Sequence, residues 1–397
     1  VTRLVAGSSA AAALAAIRQV IGDGPAALHA PVFGGDEQRN LAACIESTFV
    51  STVGAFVSQF ERDLAACTGA RHVVAVASGT AALHAALVAV GVVPHDEVIV
   101  PSLTFAATAA AVVHAGAIPH FADSDTDTFG IDARALRAHL GANTVQRGGH
   151  CVNRRTQRVI RALVPMHVFG TVADMPELLE VAREFGLVVV EDAAEALGST
   201  RDGRYAGTWG AAGVLSFNGN KIITTGGGGA ILTDDPTLAA RVRHLTTTAR
   251  VAHPWEVLHD AVGWNYRMPN LNAAVGCAQL AQLDGFLSRK RVLHERYRAA
   301  FDGMSGVRLL TEPHGTRSNQ WLQALLFDEA QGAERDGLLA LATSEGVQLR
   351  AVWTPLHLLV PYRACPAMPL PVATSLGARL VNLPSGAGLV PAAAVRE

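Results

Sequence analysis

Any chemistry that needs a primary amine has only two candidates in this chain. Of its 32 basic residues, all but Lys221 and Lys290 are arginine. Lys221 lies in Leu215-Ser-Phe-Asn-Gly-Asn-Lys-Ile-Ile-Thr-Thr-Gly-Gly-Gly-Gly229, between two apolar runs that read as buried strands. A sheltered lysine is costly unless used or paired, and shelter lowers its pKa toward that of a nucleophile for carbonyl carbon. On that segment alone, a glycine-rich turn with a lysine on its rim is an equal alternative. Lys290 lies in Ser288-Arg-Lys-Arg-Val-Leu-His-Glu-Arg-Tyr-Arg298, a charged helix whose polar face is expected to be solvated.

Three further segments bear on Lys221. Asp192 follows the apolar run Leu187 to Val190, where a carboxylate can keep a pyridine nitrogen protonated. Ser78-Gly-Thr80 joins a strand to a helix, and the first-turn amides with the Thr80 hydroxyl suit a phosphate at the positive helix end, although such a triplet also serves as an ordinary N-cap. Phe105 follows another strand end and offers a face for stacking, or a core side chain. Each signal is weak alone; together they describe a pyridoxal phosphate site.

Rival motifs are missing. No Gly-x-x-x-x-Gly-Lys-Ser/Thr occurs, since Asn220 and Ile222 flank the lysine, and Gly226 to Gly229 lacks the strand–turn–helix setting of a dinucleotide fingerprint. The fifteen histidines contain no His-Glu-x-x-His, and there is no Gly-x-Ser-x-Gly.

These residues need a scaffold. The chain has 397 residues, half of them hydrophobic, with a net charge of -2, which speaks against low-complexity disorder and gives no basic signature for nucleic acid. Five widely spaced cysteines without a Cys-x-x-Cys pair argue against a disulfide scaffold or zinc site and fit a reducing cytoplasm. The alanine-rich start, Leu4 to Ile17, reads as an amphipathic helix rather than a cleaved signal, and no run reaches the roughly 20 apolar residues of a membrane span. A soluble protein is expected. From about residue 70 to 235, apolar strands (72–77, 97–100, 117–121, 161–165, 187–191, 212–217, 229–233) alternate with helices, the pattern of a mostly parallel sheet covered on both faces. In such sheets ligands bind beyond the carboxyl ends of the strands, where the polar motifs fall. After Pro269 two helices lead to a smaller unit from about Val307, and 141–158 reads as an exposed excursion.

Taken together, Ser78-Gly-Thr-Ala-Ala-Leu-His84, Thr104-Phe-Ala-Ala-Thr108, Pro165-Met-His-Val-Phe-Gly170, Glu191-Asp-Ala-Ala-Glu195, Ser216-Phe-Asn-Gly-Asn-Lys221 and Gly263 to Ala274 resemble the DegT/DnrJ/EryC1/StrS sugar aminotransferases, collinearly from roughly Pro31 to Pro384. Within that family, Ser216 to Thr225, Phe33-Gly-Gly35, Ser47 to Gly54 and Arg317-Ser-Asn-Gln-Trp321 are similar to the LegC and PglE branch, which aminates C4 of UDP-4-keto-6-deoxy-N-acetylhexosamines.

The resemblance implies an α/β chain of the pyridoxal-phosphate-dependent fold type I, aspartate aminotransferase-like, with a large domain over 1–265 and linking helices and a smaller C-terminal α+β domain over 266–397. It implies that Lys221 carries the cofactor (pyridoxal or pyridoxamine phosphate) as a Schiff base, Asp192 pairs with its pyridinium, Gly79, Thr80 and Ser216 hold its phosphate, Phe105 stacks on it, and Glu195 and His167 sit near it. Asn265 is implied to reach the phosphate of a partner subunit in a homodimer with shared sites. Arg250, His253, Trp255, Arg317 and Trp321 become candidates for the nucleotide-sugar substrate, with L-glutamate as donor. A cyclitol or antibiotic-pathway keto sugar, and a cofactor-binding regulator without turnover, are the alternatives. A dehydratase sister group carries histidine where Lys221 stands. The chain departs from the family pattern at Gly226 to Gly229, where an acid is common, and in ending soon after Leu389.

Overall fold

A computed structural model describes residues 9–394. Leu4 to Ser8, the start of the expected N-terminal helix, lie outside the described residues. Seven strands form one sheet in the order His72–Val76, Gly229–Thr233, Ala212–Ser216, Val188–Asp192, Ile160–Leu163, Glu97–Pro101, Ile118–Ala122. Only Gly229–Thr233 runs antiparallel to its neighbours. The chain has the fold type I, α/β architecture.

Both faces of the sheet are covered, which is why its strands are apolar throughout rather than alternating. One face packs around Phe60, Leu103, Leu163 and Phe217. The other receives Gly79–Ala89 and Ala106–His114, helices so rich in alanine that they approach the strands closely. Two long helices, Asn270–Leu280 and Leu283–Phe301, lead to a second sheet ordered Val307–Leu309, Gln323–Phe327, Leu380–Leu383, Arg350–Ala351.

Three sequence expectations change here. The N-terminal helix Ser9–Ile21, expected with the first unit, packs on Leu283–Phe301 and Glu334–Ser344 of the second through Leu14 and Ile17. The stretch expected as an exposed excursion holds a hairpin, Thr144–Arg147 with His150–Asn153, whose Cys151, Val152 and Asn153 are buried. Glu97 explains it: this fully buried carboxylate accepts hydrogen bonds from Asn153 Nδ2 (2.9 Å) and Thr156, so the polar hairpin is pinned to the sheet.

Lys290 is the third. It is buried at 1% exposure instead of solvated. Leu283, Phe286, Lys290, Leu293 and Tyr297 follow one another at steps of three and four residues and form the inward stripe of that helix.

Candidate active site

The carboxyl edge of the large sheet carries the polar motifs. Ser78 caps the helix Gly79–Ala89, its Oγ accepting from Ala81 N at 3.1 Å. The N–H groups of Gly79 and Thr80 then have no carbonyl one turn earlier to bond, and they sit at the positive end of the helix dipole. Glycine is required at 79 because a Cβ there would lie 2.9 Å from the Ser216 Cβ. A Cβ on Gly229 would meet the Ser78 carbonyl oxygen at 2.6 Å. These close approaches bring the helix end, Ser216 and the glycine run together around one cavity of about 290 Å³.

Lys221 projects into that cavity from the turn after Ala212–Ser216. Its Nζ lies 4.1 Å from the ring centroid of Trp321 and 3.5 Å from Glu195 Oε1. Trp321 is fixed in turn by its indole N–H, which donates to Asn220 O at 2.7 Å. Asp192 accepts from Thr108 Oγ1 (2.8 Å) and Ala194 N (3.2 Å). Burial pushes the Asp192 carboxyl above its ordinary range, while those donors and Lys221 pull the other way. Burial also raises Glu195, to about 7, against the pull of Lys221 and of Phe169 N, which donates to its Oε2 at 3.0 Å. Phe169 is held at φ 54°, a left-handed conformation uncommon for a large side chain.

This donor set fits pyridoxal phosphate. Unspent helix amides with Thr80 and Ser216 suit a dianion, a half-satisfied buried carboxylate suits a ring N–H, and a sheltered amine suits an aldehyde.

The cavity brings together Gly79, Thr80, Phe105, Asp192, Glu195, Ser216, Lys221 and Trp321. Phe105 stands half exposed at its edge. The other sequence candidates lie elsewhere in this chain. His167 is fully buried, with Nε2 3.0 Å from Glu191 Oε2 and Nδ1 accepting from Ala173 N, so its ring faces a protein carboxylate while its backbone N–H donates to Asp192 O. Arg250, His253 and Trp255 belong to an outlying hairpin built on Arg250–Val251 and Leu258–His259, with Trp255 82% exposed. Arg317 is exposed on Thr316–Arg317, which pairs with Thr200–Arg201. Asn265 is exposed and bridges Thr247. Trp321, expected at the nucleotide, instead lies under the lysine.

Sequence reasoning missed Thr108, Arg350 and Trp353. Arg350 and Trp353 enter the cavity from the second unit. Burial lowers the Arg350 pKa, opposed by Glu195, and its Nε has no hydrogen-bond partner. Thr108 carried a legible signal, since it lies one helical turn after Thr104, and Thr104 Oγ1 and Thr108 Oγ1 are 2.7 Å apart.

The sequence profile of the DegT/DnrJ/EryC1/StrS aminotransferase family matches residues 32–396. The chain belongs to this family. Among its relatives is a GDP-perosamine synthase of Caulobacter vibrioides, 38% identical over 369 residues and covering 91% of this chain and 94% of the relative. A GDP-perosamine synthase of Escherichia coli O157:H7 is 34% identical, covering 90% and 92%. Solved structures include DesI in the presence of its TDP-sugar product (33% identity, TM-score 0.79, covering 96% of this chain and 94% of that one) and the aminotransferase TlmJ from Streptoalloteichus hindustanus (30%, TM-score 0.82, 94% and 96%). This family member is a pyridoxal-phosphate-dependent sugar aminotransferase. Turnover, rather than regulation without it, is the family's activity. Among the described residues no helix is long and apolar enough to cross a membrane.

Proposed function

We propose that the chain moves an amino group from L-glutamate to the C4 ketone of a nucleotide-linked 4-keto-6-deoxy sugar. The observation that carries the reading is one cavity holding a sheltered lysine, a buried aspartate and a helix N-terminus at the carboxyl edge of the sheet.

Gly79, Thr80 and Ser216 would hold the cofactor phosphate, Asp192 its ring nitrogen, and Lys221 its aldehyde, with Phe105 at the open edge and Glu195 beside the amine. When bound, pyridoxal phosphate supplies an electron sink that loosens the Cα–H of an amino acid and stores the amino group between half-reactions. The Nζ of Lys221 takes up that proton and returns it. Trp321 and Glu195 keep Nζ directed into the cavity, at 4.1 and 3.5 Å. Asp192, braced by Thr108, would hold the ring nitrogen protonated, which is what lets the bound ring accept electron density.

The GDP-perosamine synthases support a GDP-linked sugar. The motifs shared with the LegC and PglE branch support a UDP-linked one. Exposed Phe49, Val53, Trp255 and Val262 supply apolar surface for a second copy, which would bring Asn265 and the outlying hairpin to the neighbouring cavity. The five widely spaced cysteines, none of them in a disulfide, support a cytoplasmic setting.

The purified holoenzyme, given L-glutamate and either GDP- or UDP-linked 4-keto-6-deoxy sugar, should form 2-oxoglutarate and an amino sugar with one of them. Bleaching by L-glutamate without product from either nucleotide sugar would move the reading to the cyclitol or antibiotic-sugar substrates. Failure of every amino donor to bleach the yellow protein contradicts the proposal.

A further inference from the structure

Behind the wall of the cavity lies a buried amine that the proposed chemistry does not use. The Nζ of Lys290 is 3.0 Å from Trp321 O, 3.1 Å from His29 Nε2 and in contact with Ser385 O. These partners come from three separate stretches: the arm that precedes the large sheet, the segment entering Gln323–Phe327 and the second residue past Leu380–Leu383. Among the described residues no carboxylate pairs with Lys290, and burial pushes its amine down to about 7. His29 is held well below its ordinary pKa by burial and by the two lysines. The partners serve either form of the amine: an ammonium would donate to the two carbonyls and to a neutral His29 Nε2, and a neutral amine would donate to the carbonyls and accept from a ring N–H on Nε2.

The link to the active site is Trp321. Its carbonyl receives Lys290, its indole N–H holds the residue before Lys221, and its ring lies beneath Lys221 Nζ. The approach to Trp321 is tightly constrained. Gln320 is held at φ 54°, and Trp321 N donates to Asn319 Oδ1 at 2.8 Å. A non-glycine residue in the left-handed region persists only where its surroundings fix it. The direction of the Trp321 carbonyl is set from behind by Lys290.

We propose that Lys290 is a positioning residue for Lys221: by holding the Trp321 carbonyl it keeps the indole under the reactive amine and clamps the arm and the second unit at that point. The two lysines of the chain are thereby coupled through one tryptophan. The inference rests on reading Lys221 as the reactive amine, and its test needs no cofactor.

With two lysines, one of them buried, an acylating reagent applied to the cofactor-stripped full chain reports Lys221 by peptide mass. Its pH midpoint measures how the surroundings favour the charged amine, with Glu195, Asp192, Arg350 and His29 present throughout. Lys290→Met should lower this midpoint by about half a unit or more, because a displaced indole no longer favours the cation. Lys290→Gln, which keeps a donor for one carbonyl, should give a smaller shift in the same direction. The double variant with Trp321→Leu should go no further than Trp321→Leu alone. Tyr297→Phe is the control for lost stability: it lies on the same helix, and its hydroxyl donates to Pro384 O at 3.0 Å, so it too orphans a buried carbonyl, and the midpoint should stay put. An unmoved midpoint in both Lys290 variants, or an equal shift in Tyr297→Phe, overturns the proposal. If pyridoxal phosphate cannot be trapped on the wild type while the labelling shift persists, the functional reading falls and the coupling stands.

Discussion

The two walls of the cavity are made differently. The wall from the large sheet consists of turns that each follow a strand: Ser78 to Thr80, Asp192 to Glu195, Ser216 to Lys221. The facing wall, Trp321, Arg350 and Trp353, comes from separate stretches of the second unit, oriented by contacts far away in sequence. The first wall holds the groups for chemistry, and the second sets the environment of the amine. Substitutions on the first should therefore remove turnover in a folded protein, and those on the second should change the amine's setting and the stability of the junction.

Lys221→Ala has the largest expected effect, a loss of transamination of about 10⁴-fold or more with the fold intact, read by steady-state assay and circular dichroism. Asp192→Asn should cost about 10²- to 10³-fold in kcat, because the ring nitrogen loses a fixed negative partner. If either were nearly neutral, the first wall would not be the chemical one.

Asn319→Ala probes the junction. Asn319 Nδ2 donates to Glu195 O and Leu197 O, both at 2.9 Å, so its loss leaves buried carbonyls unpaired. Thermal or denaturant unfolding should show about 1–3 kcal/mol of destabilisation, with transamination falling less than in Asp192→Asn.

Glu195→Gln gives the smallest and most specific effect. The carboxyl is raised from 4.5 to about 7 on folding, so the folded chain keeps a proton that the unfolded chain releases. The stability from this group is complete below about pH 4.5 and is lost as pH rises through about 7. In the cofactor-free protein the glutamine variant should flatten the melting profile across that window. An unchanged slope would mean that Glu195 is ionised in the cavity.

The contrast between the walls also explains what was legible in the sequence. Apolar runs such as Val188–Asp192 and Gly229–Thr233 sit within a residue of where their patterns place them, because a strand covered on both faces needs continuous apolar residues. Each chemical residue of the first wall lies in the turn beside such a strand, so local reading reaches it. Arg350 and Trp353 carry no local mark, since only pairing of Arg350–Ala351 with Leu380–Leu383 brings them to the cavity. His167 sat beside a strand end too, but it turned inward to Glu191. Lys290 was hidden by the charged neighbours Arg289 and Arg291, although the spacing of Phe286, Lys290, Leu293 and Tyr297 placed it on the buried stripe. Periodicity was the better guide there than residue type.

The most direct test of the central claim is to add pyridoxal phosphate to the full chain, reduce with borohydride and map the modified peptide by mass spectrometry. The account predicts one stable adduct, on the peptide containing Lys221, whose amine stands in the cavity at 13% side-chain exposure. An adduct on Lys290, or no lysine adduct at all, would contradict it.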